Sequence, residues 1–338
     1  MKILYLGVHS ILEHDEIELF TELGHEVFSY QGSYMYPNSD PYLKRPQIDN
    51  LYFNKHLADL ALQNPKTNIP QEIIDWADII IIMHDPNIVE QNWERIRHKK
   101  VIWRSIGQST PHVENMIRRM RYEGLKIVRY SPMEENITGY LGADAIIRFG
   151  KDPEEWKDWN GKEKRVINFT QTLKGRRQHC HYDTIMQVIN GFPALIYGSG
   201  NEDLGGLNGG ELPYDLMKGT LRDNRVFIYG GTWPAQYTLA FMEALMTGIP
   251  VVALGTKLVE EVVPPSDRIH YYEIPNFIRN GENGFISDDI GELRGYIHQL
   301  IEDEKLAQRI SEEGRKTAIE LFDNNKIKEE WREFFNVL

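Results

Sequence analysis

Four short apolar runs in the first half of the chain, KILYLG, IIIIM, VIWR and KIVRY, each end in a polar or proline-containing turn, respectively VHS, HDP, SIGQSTP and SP. Runs of this length bounded by turn residues predict strands, and IIIIM, which has no alternating polar positions, predicts a strand covered on both faces. Between them lie segments with apolar residues at helical spacing, such as Ile11, Ile17, Phe20 and Leu23, closed by the glycine of GHEVFSY. DAIIRFG adds one more strand. Strand and helix therefore alternate, which predicts a parallel sheet with helices on both faces. Ligands of such sheets sit at the carboxyl ends of the strands. The candidate positions are the tips at His9 and Ser10, His84 and Asp85, Gly107, Gln108 and Ser109, and Ser131.

Residues 32–70, rich in Tyr, Pro and Asn, predict a long loop with a short helix inserted. From residue 151 to 164, KDPEEWKDWNGKEK, the apolar pattern stops and charge takes over, which reads as a linker. A second series follows: strand RVINFTQ, a helix over 182–190, strand PALIYGSG, helix LPYDLMKGTLRD, strand RVFIYGG, helix PAQYTLAFMEALMTG and strand IPVVALG. The last segment places Ile327, Trp331, Phe334 and Phe335 at roughly helical spacing, suited to packing back across a domain boundary. The predicted class is α/β, with two Rossmann-like doubly wound domains at 1–155 and 156–318 and a C-terminal helix within 319–338.

Composition agrees with two cores: 338 residues, 41% hydrophobic and 26% charged, suffice for two domains of about 150 residues. No apolar run reaches the roughly 18 to 20 residues that span a bilayer, and MKILYLGVHS lacks the features of a signal peptide, so a cytoplasmic location is expected. The single cysteine, Cys180, excludes an internal disulfide and a cysteine-based zinc cluster. A net charge of −12 disfavours nonspecific attraction of the whole molecule to nucleic acid or anionic lipid. Locally the balance reverses, since residues 93–129 hold ten Lys or Arg against three Glu. That segment is either a pair of solvated helix faces or a patch for an anionic partner, DNA or a membrane surface.

The segment FMEALMTGIPVVALG puts Glu243 among Phe241, Met242, Ala244 and Leu245. Thr232 as cap, Pro234 near the start and Gly248 as stop predict a helix over 235–246. Its free N–H groups and dipole would favour an anion such as a diphosphate. A lone carboxylate among apolar neighbours is costly, so Glu243 requires either a basic partner or donor hydroxyls such as a ribose diol.

From RVFIYGGTWPAQYTLAFMEALMTGIPVVAL through EIPNFIRNGENGFISDD, the chain resembles nucleotide-sugar-dependent glycosyltransferases of the GT-B fold, in the large retaining family that includes bacterial mannosyltransferases and sucrose synthase. Glu243 stands at the second Glu of that family's pair. Gly248, Pro250, Val251 and Val252 match the Gly-x-Pro-Val-Val element, and NGENGF over 280–285 matches the glycine-rich turn. IYGSGNE, which contains Gly198, and IIRFGKDPEEW extend the likeness over the chain. The first Glu of the pair falls at Ala235, and AQYTL lacks the family's glycines.

The resemblance implies that the N–H groups of Tyr237, Thr238 and Leu239 hold phosphate, that Glu243 takes the ribose, and that cations after the first strand of the second domain neutralise the diphosphate leaving group. Lys174, Arg176 and Arg177 occupy that region, which otherwise reads as a basic surface loop. The two domains would face each other across a cleft. The tip of the IIIIM strand would lie near the acceptor there, with Asp85 as general base and His84 positioning donor or acceptor, while His9, Ser10, Gln108 and Ser109 line the acceptor side. For Asp85, capping of the next helix is the competing reading. The chain has no Asp-x-Asp, which agrees with metal-independent stabilisation of the leaving group by Lys and Arg, and His179 and His181 sit in a basic loop ill suited to a cation. The implied activity is transfer of a sugar from a nucleotide-diphosphate sugar, with UDP as the expected nucleotide and no further cofactor, to an acceptor hydroxyl on a glycan, a lipid-linked sugar, a small molecule or a modified DNA base. The alternatives are a catalytically degenerate sugar-nucleotide-binding subunit, which Ala235 suggests, and a nucleotide-sugar epimerase of the same architecture.

Overall fold

None of the five residues Ile79–Met83 is exposed. In a computed structural model describing residues 1–32, 45–261 and 271–338, they form a central strand of a six-stranded parallel sheet. Part of the Tyr- and Pro-rich loop expected over 32–70 lies outside the described residues.

The first compact unit comprises Met1–Gly150 and Asn324–Leu338. Its elements are β1 (Lys2–Leu6), α1 (Ser10–Glu22), β2 (Glu26–Ser29), α2 (Lys55–Gln63), α3 (Gln71–Trp76), β3 (Ile79–Met83), α4 (Pro86–Ile96), β4 (Lys100–Arg104), α5 (Pro111–Tyr122), β5 (Lys126–Arg129) and β6 (Ala145–Ile146). The strands run parallel in the order β2-β1-β3-β4-β5-β6. One face of the sheet buries Leu4, Leu6, Phe28, Ile80, Ile82 and Trp103 against Trp93 and Ile117 of the helices.

The second unit, Lys151–Asp323, contains β7 (Glu163–Phe169), α6 (Tyr182–Ile189), β8 (Ala194–Tyr197), β9 (Asn208–Gly210), α7 (Tyr214–Asp223), β10 (Asn224–Tyr229), α8 (Leu239–Thr247), β11 (Val251–Leu254), α9 (Thr256–Glu260), α10 (Ile274–Phe277), β12 (Phe285–Ser287), α11 (Ile290–Glu302) and α12 (Glu304–Phe322). Its parallel strands lie in the order β12-β11-β10-β7-β8-β9. The first strand of this unit is therefore central, and the winding reverses direction between β7 and β10. The glycine-rich stretch that forms β9 carries no strand signal in the sequence.

The last helix, α13 (Asn324–Val337), belongs to the first unit. Trp331 meets Phe20 of α1 edge-on at 4.9 Å between ring centroids, and Phe335 lies 5.3 Å from the same ring. Its four apolar positions, Ile327, Trp331, Phe334 and Phe335, are all buried. Among the described residues no helix is long and apolar enough to cross a membrane.

The stretch 151–164, read as the linker, begins at the boundary between the units and is packed: Lys151 and Trp156 are buried, the Trp159 indole donates to the Asn224 carbonyl at 2.8 Å, and Arg315 bonds the Pro153 carbonyl at 2.6 Å. Its charges neutralise one another at the surface, as between Lys157 and Glu154 at 2.8 Å, while the tryptophans carry the packing. Most cations of the basic segment 93–129 are paired, while Arg97 and Arg119 remain more than half exposed. Arg104 and Arg129 are fully buried, the first paired with Glu16 at 2.7 Å and the second with Glu114 at 2.7 Å. Arg121 and Lys126 pair with Asp144, Arg97 and Arg119 with Glu94, and Arg95 and Lys99 donate to the carbonyls of Ile69 and Ala77. The carboxylates Glu16, Glu134 and Asp144 lie outside the segment, so its local charge count overstates its surface charge.

Candidate functional site

The reversal between β7 and β10 is where a doubly wound sheet opens a crevice at the carboxyl ends of its strands. At that seam the Asn168 amide of β7 donates to the Ile228 carbonyl of β10 at 2.9 Å. Beyond β7 the chain is tied to the tip of β8 by Thr170 N–H to the Tyr197 carbonyl (2.9 Å) and Thr172 N–H to the Ser199 carbonyl (2.8 Å). Fully buried Asn201 closes the clamp: its amide donates to the Thr170 and Gly198 carbonyls at 2.7 and 3.0 Å, and its carbonyl accepts from Leu173 N–H at 2.9 Å. Gly198 sits at φ +127°, where an added Cβ would stand 2.9 Å from the Thr170 carbonyl oxygen. Gly198→Ala is expected to lower stability by about 1–3 kcal/mol, through left-handed strain and the close approach. A thermal melt indistinguishable from wild type would show that the loop has room.

The structure separates the three cations that follow β7. Arg177 donates to Asp183 (Nε to Oδ2 2.6 Å), and Lys174 lies 3.4 Å from Asp203. Arg176 is exposed and has no acidic partner among the described residues. Of the three, it alone offers an uncommitted guanidinium beside the crevice.

Helix α8 begins at Leu239, four residues later than its sequence predicts. A turn explains the delay: Ala235 N–H bonds the Thr232 carbonyl at 2.7 Å, and Thr238 remains extended (φ −121°, ψ 165°) as the cap residue. Thr232 is therefore not the cap. No side chain caps the helix, and the N–H groups of Leu239 and Ala240 have no partner among the described residues. Tyr237, Thr238 and Leu239 thus mark the head of the helix, where backbone donors and the dipole favour an anion.

Around that head lie polar groups that sequence reasoning missed. Tyr271, Tyr272 and Gln236 are buried, and their hydroxyl and amide oxygens have no hydrogen-bond partner among the described residues. Tyr272 stacks parallel to Tyr229 at the end of β10, with centroids 6.5 Å apart, and Thr238 is the polar neighbour of the Tyr229 hydroxyl. Burial holds all three phenols well above their ordinary pKa, so they are neutral donors. A buried unpaired hydroxyl or amide costs about 1–3 kcal/mol, which makes such a cluster a place that a polar ligand would satisfy. The available signal was the aromatic residues at the strand end, RVFIYGG, and in HYYEIP.

Glu243 lies in the interior of α8, 5% exposed, with the Lys151 ammonium 2.9 Å from its Oε1. Of the two alternatives that its burial allowed, the basic partner is present.

In the first unit, several expected acceptor residues have local structural bonds. Asp85 caps α4 by accepting from Asn87 N–H at 3.0 Å, and Pro86 opens that helix. The Nδ1 of His9 caps α1 by accepting from Leu12 N–H at 3.4 Å, and Ser10 is the first helical residue. The Ser109 hydroxyl is buried and donates to Glu134 at 3.2 Å, so it is not a surface group as the tip position suggested, whereas Gln108 is exposed. His84 has left-handed backbone (φ 49°) with its ring 5.4 Å from that of Trp103. Burial, partly offset by a hydrogen bond with the Gln108 backbone, pulls the His84 imidazole down to about 4.

His181, buried at the start of α6, is also lowered to about 4, by burial and the neighbouring His179. Unfolded histidine titrates near 6.5, so between these values the unfolded chain holds more protons than the folded one. Stability should therefore fall as pH drops from about 6.5 towards 4, by up to about 1.4 kcal/mol per pH unit for each histidine. Urea unfolding at pH 7, 5.5 and 4.5 measures the slope. His84→Gln and His181→Gln should each flatten it, and an unchanged slope in both would exclude these groups as its source.

No protein-family model matches this sequence, and no curated protein matches it. Solved structures do. HepE of Anabaena, in complex with UDP and glucose, superposes over the full length of both chains with a TM-score of 0.71 at 16% identity. Sucrose-phosphate synthase from Thermosynechococcus elongatus also matches over both full chains, with a TM-score of 0.68 at 13% identity. A glycosyltransferase from Rickettsia africae covers 99% of this chain and 97% of its own, with a TM-score of 0.66 at 15% identity. Likeness at such identities is one of architecture, and the architecture, two six-stranded parallel sheets with flanking helices, is the GT-B fold.

Proposed function

We propose that the protein is a glycosyltransferase that moves a sugar from a UDP-sugar to an acceptor hydroxyl. The observation carrying this reading is the conjunction, at the β7/β10 reversal, of an uncapped helix head with the unpaired Arg176. The bond between the anomeric carbon and the β-phosphate oxygen breaks, and negative charge accumulates on the departing diphosphate. Arg176 and the N–H groups of Leu239 and Ala240 are fixed donors for that charge. Glu243 accepts from the ribose diol, and the phenols of Tyr271 and Tyr272 with Gln236 bond the remaining polar groups of the donor. On the first unit, Asp85 and the neutral His84 at the tip of β3 are the groups proposed for the acceptor hydroxyl, which loses its proton as the new glycosidic bond forms. UDP as the nucleotide is supported by the HepE complexes with UDP and UDP-glucose.

Ala235, buried where the resembling family carries a carboxylate, favours a second reading, a protein that binds the nucleotide sugar without turning it over. Incubation with UDP-, GDP- and ADP-sugars, followed by assay of free nucleotide, decides between them. Release of UDP supports transfer; tight binding without release supports the second reading; no binding of any nucleotide overturns both.

A further inference from the structure

We propose that Lys151 is a positioning residue of the nucleotide site, acting through Glu243; the inference rests on the ribose role proposed for Glu243. Lys151 is the first residue of the second unit and is 3% exposed. Its N–H donates to the Phe322 carbonyl at 2.7 Å, and its backbone forms a parallel bridge with Asp323. Its ammonium lies 5.5 Å from the centroid of the buried Trp156 ring and 2.9 Å from Glu243 Oε1. The backbone is thus anchored at the end of α12, and the buried side chain brings its charge against Glu243.

A buried ion pair is a poor source of stability, because desolvation of both charges offsets their attraction, and an apolar pair of similar volume often serves the fold as well. Helix α8 illustrates the cost: Phe241, Met242, Ala244, Leu245 and Met246 around Glu243 are all buried. The pair makes better sense as a means of holding a carboxylate fixed where donor hydroxyls can reach it. Lysine suits that task. Its ammonium is a compact point charge, whereas a guanidinium fork would tend to occupy both carboxylate oxygens.

Calorimetric titration with UDP, alongside thermal melts, tests this in the full chain. Glu243→Gln should weaken UDP binding by about ten- to a hundredfold, as for a lost hydrogen bond to a charged group. Lys151→Met should weaken it by about tenfold or more, because the carboxylate loses the cation that holds it in place. The double variant should bind no more weakly than Glu243→Gln alone, within about twofold, since Lys151 has nothing left to act through. Wild-type affinity in Lys151→Met would overturn the proposal. So would additive losses in the double variant, which would place the ammonium on the ligand itself. Should Lys151→Met not fold, Lys151→Gln, which keeps a donor and removes the charge, takes its place with the same two outcomes. Failure of the wild-type protein to bind any nucleotide would instead overturn the functional reading beneath it.

Discussion

Arg176→Gln should lower the rate of UDP release from a UDP-sugar by about 100- to 1,000-fold, the range for removing one fixed donor from a developing anion. Its melting curve should shift by no more than about 0.5 kcal/mol, since the side chain is exposed and has no acidic partner among the described residues. The contrast with its neighbours makes the prediction sharp. Lys174 and Arg177 are held by Asp203 and Asp183, so Lys174→Gln and Arg177→Gln should change the rate by only a few-fold. Equal losses in all three variants would mean that the loop acts as a diffuse positive field. A normal rate in Arg176→Gln would remove it from the leaving-group site.

Arg129→Met should destabilise the first unit by about 3–5 kcal/mol, because it leaves buried carboxylates without their cation. The Arg129 guanidinium contacts Glu114 at 2.7 and 2.9 Å and Glu134 at 3.3 Å, and all three side chains are fully buried. Glu134 also accepts from the Ser105 hydroxyl at 2.6 Å and from Tyr130 N–H at 2.9 Å, so its repulsion with Glu114 cannot be relieved by swinging out to water. Neutralising both acids in the same chain, with Glu114→Gln and Glu134→Gln, should recover part of the loss. Urea unfolding measures each step, and a single variant as stable as wild type would show that the carboxylates take up protons at little cost.

The strands and their parallel order were legible because runs such as Ile79–Met83 have no polar face to turn outward. Segments governed by distant partners were not. The positive excess of 93–129 is reduced on folding by carboxylates from outside the segment, such as Glu16, which meets Arg104 from 88 residues away. The stretch 151–164 looked like a linker because charge dominates its sequence, although Trp156 fixes its position. The start of α8 was misplaced because Pro234 and Thr232 imitate a helix opening, whereas the chain makes a turn there and begins the helix after Thr238. In the candidate site, Glu243 stood out as a carboxylate among apolar residues, and the basic triplet followed from the family resemblance. Which cation is uncommitted depended on Asp183 and Asp203, and the role of Lys151 on a pairing across more than ninety residues.

The membership of α13 in the first unit has a consequence for biosynthesis. A ribosome releases residues 1–150 long before it reaches Asn324, so the first sheet must wait, with Phe20 lacking Trp331 and Phe335, while all of Lys151–Asp323 is made. Arg104, whose guanidinium lies 5.4 Å from the Trp331 ring, waits as well. The second unit, continuous in sequence, can close on itself as it emerges. The domain that is translated first is therefore completed last, and the nascent chain carries an unfinished apolar surface through most of its own synthesis.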